Sequence, residues 1–352
     1  MTEKYLHKGK KLLIRTNSTR SSQDAIRNKN RSVIVNCIGA VLLGAGGIVG
    51  LADYFYRMAF ARTLPAGSGM VLGIPGKPGK RNPDEKAWDA LKKLQESWLE
   101  TVKKKTIHIV SEDGLRLYGT LLMPAKKTAK TVILVHGFHG GAADFPGLDR
   151  FFLEHGFNVL YVENRAHGRS EGRYLGFGYK DRRDLVSWSK KIVRLTGEDA
   201  EIVLLGISMG GAAVMSASGE ADLPVQVKAI IEDCGFASTL GEFYSVFPKV
   251  LLPIRTPVIM TASLISKLKE GYFFSEANEK QAVSQNTRPM LFIHGGNDTF
   301  VPTRMVYEVY ECCSAYKEIY ICPGALHAGS YSHAPETYEA CVERFLINCG
   351  II

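Results

Sequence analysis

The segment Gly206-Ile207-Ser208-Met209-Gly210 places a hydroxyl between two glycines, directly after an apolar run at 202–205 and before Gly211-Ala212-Ala213-Val214-Met215. A serine hydroxyl is a weak nucleophile until a neighbouring base removes its proton. This spacing contributes position: a sharp turn from strand to helix strains the serine backbone and lifts its Oγ above a sheet. Gly206 and Gly210 let strand and helix approach more closely than side chains would allow. The Met209 amide then falls at a helix N-terminus, where unpaired N–H groups and the helix dipole favour negative charge, as a tetrahedral oxyanion requires.

A base and an orienting acid should follow on later strands. A strand over 290–294 leads into Gly295-Gly296-Asn297-Asp298, and a strand over 319–321 leads to Pro323-Gly324-Ala325-Leu326-His327. The order is nucleophile, acid, base: Asp298 lies 90 residues after Ser208, and His327 lies 29 residues after Asp298. The first gap holds two strands and a long insertion, and the second holds one helix and one strand. All three side chains therefore fall on loops at one sheet edge. Asp233, which also closes a strand, is the alternative acid. His333 is expected to cap or pack, His136 and His294 to make structural hydrogen bonds, and His139 to border the pocket. A second oxyanion donor should come from His136-Gly137-Phe138-His139-Gly140-Gly141. The Phe138 amide is assigned because it directly follows the His-Gly pair.

The elements that position these residues alternate. Strands over 106–110 and 115–122 flank a turn at Glu112-Asp113-Gly114. Continuous apolar runs at 131–135, 159–162, 202–205, 227–231, 290–293 and 319–321 lack period-two alternation and fit a parallel sheet covered on both faces. Helices are expected over 148–155 and 181–195. Another, over 84–101, should dock through Trp88, Leu91, Leu94 and Trp98. The fold class is α/β, a mostly parallel doubly wound sheet. About 55 residues separate the sixth strand from the seventh, more than one crossover helix needs. They are read as a helical cap, about 236–287, above the carboxyl edge where such sheets bind ligands.

Composition restricts the partners. The 352 residues are 45% hydrophobic and 22% charged, which suits a packed core. Of the net +9, about +7 lies in residues 1–32, where nine Lys/Arg face only Glu3 and Asp24. The remainder is nearly neutral, which argues against a nucleic-acid partner. Residues 33–52 (VIVNCIGAVLLGAGGIVGLA) carry no charge and are long enough to cross about 30 Å of hydrocarbon. The basic tail places the N-terminus in the cytoplasm, with 33–52 a transmembrane signal anchor, 53–83 a linker, and 84–352 a catalytic domain on the extracytoplasmic side. Seven cysteines, including the adjacent Cys312 and Cys313, do not form a disulfide framework, and no spacing suggests zinc.

Taken together, HGFHG after the third strand, ENRAHGRSEG after the fourth, GISMGG, GGNDTFVP and GALHAGSY resemble bacterial α/β-hydrolases of the esterase/prolyl-oligopeptidase-like branch. Within it, the chain is similar to single-pass, membrane-anchored hydrolases of Gram-positive bacteria. The resemblance covers roughly residues 84–349 and implies that fold. It implies Ser208 as nucleophile, His327 as general base and acid, Asp298 as its carboxylate, and Phe138 and Met209 as oxyanion donors. Neither an N-terminal β-propeller nor an HGGG run is present. The expected reaction is hydrolysis of a small carboxylic ester with a hydrophobic or aromatic acyl group, through an acyl-enzyme. The alternatives are a peptidase or amidase, or an acyltransferase or thioesterase, with the same triad. None needs a cofactor or a metal.

Overall fold

The computed structural model describes residues 44, 46–63, 83–247 and 249–352. The basic tail 1–32, most of the apolar stretch 33–52 and residues 64–82 of the expected linker lie outside the described residues. The chain divides into two compact units at Asp53/Tyr54. In the first, residues 46–53 are helical.

The second unit is organised on one eight-stranded sheet. In chain order its strands are β1 (Lys104–Val110), β2 (Arg116–Leu122), β3 (Lys130–Val135), β4 (Asn158–Val162), β5 (Glu201–Ile207), β6 (Val227–Asp233), β7 (Met290–Gly295) and β8 (Lys317–Cys322). Their spatial order is β1-β2-β4-β3-β5-β6-β7-β8. The first two run antiparallel to their neighbours, and β3 to β8 are parallel. Every residue of β4 and β7 is buried, as their unbroken apolar runs require in a sheet covered on both faces. Because β3 pairs with β4 on one side and β5 on the other, the chain changes direction across the sheet there. The crevice at the carboxyl ends of β3 and β5 is therefore the topological switch point.

Helices α1 (Pro83–Thr101), α2 (Leu148–Glu154), α3 (Asp181–Thr196) and α4 (Met209–Ser218) belong to the sheet layers. Trp88, Leu91 and Trp98 of α1 pack on the core as expected, but Leu94 is 69% exposed. The inward position is Gln95, one residue later, whose amide donates to the buried Asp149 at 2.5 Å. A helix face defined by 88, 91, 95 and 98 follows the 3.6-residue period better than one through 94, and a buried acceptor allows a polar residue there.

Between β6 and β7 come α5 (Thr239–Val246), α6 (Arg255–Glu270) and α7 (Glu279–Ser284), with 3₁₀ turns at Lys249–Ile254 and Phe274–Glu276. The first two helices form the cap. Helix α7, which falls inside the expected cap span, instead packs on α4: Ser216 Oγ donates to Glu279 at 3.3 Å, and Gly219 lies against Ala282. It is the crossover helix of the sheet layer. Helices α8 (Arg304–Cys312), α9 (Ser330–His333) and α10 (Pro335–Asn348) complete the unit.

Part of the expected linker is also structured. Residues 54–60 are helical, and Phe55, Tyr56 and Phe60 are buried. Phe55 packs on Phe243 and Phe247, and Phe60 stacks on Phe274 at 5.4 Å between centroids. Aromatic side chains inside an apparent linker find partners in the cap and, through Phe60–Phe177 and Tyr56–Tyr174, in the loop before α3.

Candidate active site

The turn after β5 is shaped by steric exclusion. A Cβ on Gly206 would strike the carbonyl of Gly210, and one on Gly210 would strike the carbonyl of Val135 on β3. Ser208 sits at φ 56°, ψ −117°, a conformation that costs a non-glycine residue about 1–3 kcal/mol. The surrounding structure holds it there: its N–H donates to Asp233 O at 2.7 Å, and its carbonyl accepts from Ala212 N–H at 3.0 Å. Of the six described non-glycine residues with positive φ, Ser208, His139, Cys234 and Ala328 stand in the loops around this point. Strain thus concentrates at one end of the sheet.

The structure brings the three predicted residues together. His327 Nε2 is 2.8 Å from Ser208 Oγ, and His327 Nδ1 is 2.7 Å from Asp298 Oδ2. A proton on Nδ1 leaves Nε2 free to accept the serine hydroxyl proton. Asp298 is buried, and its other oxygen accepts from the N–H groups of Phe300 at 2.9 Å and Val301 at 3.0 Å. Burial alone would raise its pKa, but hydrogen bonds from His294 and His327 outweigh burial and hold the carboxyl below its ordinary value. The group is an anion fixed in orientation.

Asp233 lies behind the site instead. Its carbonyl supports Ser208, its carboxylate accepts from Ser330 Oγ at 3.5 Å, and burial raises its pKa to about 6. His136 is buried and bonded through both ring nitrogens, Nδ1 to Gly137 O at 2.8 Å and Nε2 to Asn164 N–H at 3.1 Å. Burial lowers its pKa to about 4. His139 N–H donates to His167 Nε2 at 3.2 Å, and its ring lies edge-on to Phe138. His333 packs beside Gly324.

The loop after β3 runs directly past the serine, since a Cβ on Gly137 would lie 3.4 Å from Ser208 Cβ. Among the described residues, neither the Phe138 nor the Met209 N–H donates to another group. The amides of His139, Gly140 and Gly141 in the same loop are already engaged.

Two neighbours were not assigned to the site from sequence. His294 Nε2 is 3.3 Å from Asp298 Oδ2 and 2.9 Å from Val301 O, so the acid carries a second imidazole behind it. Burial would lower the His294 pKa, yet Asp298 and Glu232 raise it. Nothing in the local spacing distinguishes this histidine, because its role depends on the loop folding back. Cys234 is the other. Its Sγ and the donor atoms of Asp298 and His327 all lie within 4.8 Å of one another, the one such three-ligand group among the described residues. A cation there would have to break the Asp298–His327 hydrogen bond, so these donors are better suited to the relay than to a metal.

Comparison with known proteins bears on the fold and on the class of protein. A family model described as Hydrolase_4, serine aminopeptidase S33, matches residues 126–286, a span that includes Ser208 and ends before Asp298 and His327. The chain is 28% identical over 250 residues to Bacillus subtilis protein YqkD, covering 71% of this chain and 81% of that one. The structure of Pyrococcus furiosus esterase Pf2001 superposes with a TM-score of 0.56 at 25% identity, over 78% of this chain and 98% of that one. Pyrococcus horikoshii acylaminoacyl peptidase gives a TM-score of 0.53 at 20% identity over 73% of this chain, but only 43% of its own length. The fold is that of an α/β-hydrolase, and the comparisons indicate a hydrolase of esterase or peptidase kind.

Proposed function

We propose that the chain is a serine hydrolase that cleaves carboxylic esters through an acyl-enzyme. The observation that carries this reading is the continuous relay from Ser208 Oγ through His327 to Asp298, with hydrogen bonds of 2.8 Å and 2.7 Å, at a strained elbow. His327 Nε2 takes the hydroxyl proton as Ser208 Oγ bonds to the carbonyl carbon. The N–H groups of Phe138 and Met209 hold the resulting oxyanion. The tetrahedral adduct collapses, and His327 returns the proton to the departing alcohol. Water then attacks the acyl-serine by the same route, releasing the acid and restoring Ser208. Asp298 stays ionised and keeps the imidazole in the required tautomer.

Phe138 lies edge-on to Phe177 with ring centroids 6.3 Å apart, and Phe177 stacks on Phe236 and contacts Phe243 of α5. An apolar wall therefore leads from the oxyanion loop into the cap, and it favours a hydrophobic or aromatic acyl group on a small ester. A fluorophosphonate probe should label the wild type and not Ser208→Ala; labelling that survives the substitution would reject the assignment.

A peptidase or amidase is the second reading, favoured by the description of the matching family model. Turnover of aminoacyl anilides rivalling that of p-nitrophenyl esters would make it the better one. Acyl transfer would show as an acceptor-dependent product. We also propose that residues 33–52 anchor the chain in the cell membrane with its catalytic domain outside. Their uncharged length and the basic segment before them support this.

A further inference from the structure

Helix α6 is built inside out. Its buried positions are Val258, Ile259, Ala262, Ser263 and Ser266, so two of five are serines. Its outward positions include Met260 at 52%, Leu264 at 49% and Leu268 at 79% exposure, spaced four residues apart and so lying along one face. Leu252 and Phe273 extend this exposed apolar surface at either end. From Thr256 to Ser266 the sequence carries no charge. A surface helix of a water-facing domain shows the opposite pattern, and a contiguous apolar stripe marks a surface that meets something other than water.

The way the chain reaches the cap identifies what that is. The uncharged stretch ends at Ala52, and Phe55, three residues later, is packed against Phe243 of α5 at 5.3 Å between ring centroids. Three residues reach at most about 10 Å when fully extended. If residues 33–52 lie in lipid, the cap cannot stand far from the lipid surface. A cation suits that position: Lys267 lies in the apolar face, its ammonium 5.1 Å from the Phe273 ring and 3.2 Å from Glu276. Long basic side chains rising past an apolar stripe are the pattern of a helix lying in the headgroup layer.

We infer that the exposed face of α6 rests on the bilayer that holds the N-terminal segment, so that esters dissolved in the lipid reach the site through the cap. This rests on the membrane location proposed above. The occupant of the stripe is the lipid surface itself.

The test uses the full chain reconstituted into phosphatidylcholine–phosphatidylglycerol vesicles, with lipids brominated near the headgroup as quencher. Tryptophan is introduced by Leu264→Trp and Leu268→Trp on α6. Val225→Trp, on the exposed turn before β6 and at the opposite sheet edge, serves as reference. Brominated lipid should reduce the added emission of the two α6 variants about twofold and leave that of Val225→Trp unchanged. Iodide quenching without bromolipid quenching would overturn the inference, because the stripe would then face water. Protection that disappears on dilution, again without bromolipid quenching, would assign the stripe to a second copy of the chain and overturn it equally. A full chain that does not incorporate into vesicles would reject both this inference and the membrane location. As a functional counterpart, Leu264→Asp/Leu268→Asp should lower turnover of a vesicle-borne long-chain ester about tenfold and leave a short water-soluble ester within about twofold. An equal loss on both would point to a damaged site. None of the fluorescence readouts depends on activity, so they stand apart from the ester-hydrolase reading.

Discussion

Helices α4, at the serine turn, and α6, in the cap, are built by opposite rules. All ten residues of α4 are buried, while only five of the sixteen in α6 are. The first carries the Met209 amide beside the serine and is wedged between β3, β6 and α7 by glycines and alanines. The second touches the sheet layers little and turns its large apolar side chains outward. Buried, close-packed elements have few alternative arrangements and can hold reacting groups to a few tenths of an ångström. A half-exposed cap has more freedom, which suits selection and admission of substrate. The chemistry is thus expected to be intolerant of change, and the cap to shift preference.

Four substitutions sharpen that contrast, in order of decreasing effect. Ser208→Ala should lower kcat by about 10⁶-fold, leaving what the oxyanion donors and binding alone supply. Asp298→Asn should cost about 10⁴-fold by favouring the wrong imidazole tautomer, while Asp233→Asn should cost less than about tenfold. A larger loss for Asp233→Asn, measured as kcat under saturating ester, would exchange the two roles. Phe243→Ala should destabilise the fold by about 3–4 kcal/mol in denaturant titration, because the ring contacts Phe55, Phe60, Phe177 and Phe274. It should also shift chain-length preference more than it changes kcat on the best ester.

The smallest effect concerns pH. Glu242 on α5 is buried, neither carboxyl oxygen has a hydrogen-bond partner, and burial raises its pKa to about 8. A carboxyl whose folded pKa exceeds the ordinary 4.5 stabilises the fold below that value. It withdraws that stability as pH rises toward 8. Glu242→Gln should therefore raise Tm at pH 8.5 by a few degrees, about 1 kcal/mol, and change it little at pH 5. An equal shift at both values would mean that the carboxyl does not titrate on unfolding.

The sheet and the relay were largely legible in the sequence because each depends on short-range pattern. Continuous apolar runs mark buried parallel strands, and glycines at 206 and 210 mark a turn where backbone meets backbone. Chain order then places Asp298 and His327 on adjacent loops. What could not be read depends on contacts between distant segments. Leu94 and Gln95 differ by a single position, and only the buried Asp149, more than fifty residues away, explains why the polar one faces inward. Phe55 and Phe60 sit in a stretch that reads as linker until Phe243, Phe247 and Phe274 are placed beside them. His294 and Glu242 gain their significance from burial beside Asp298, which no local spacing encodes.

The most direct measurement is mass spectrometry of the protein trapped early in its reaction with p-nitrophenyl acetate, combined with rapid-mixing detection of p-nitrophenol. A burst of about one nitrophenol per active site is expected, with one acetyl group on the peptide containing Ser208 and none in Ser208→Ala. A burst with the acetyl group on another residue, or turnover with no acyl-protein under conditions that trap it, would contradict the proposed mechanism.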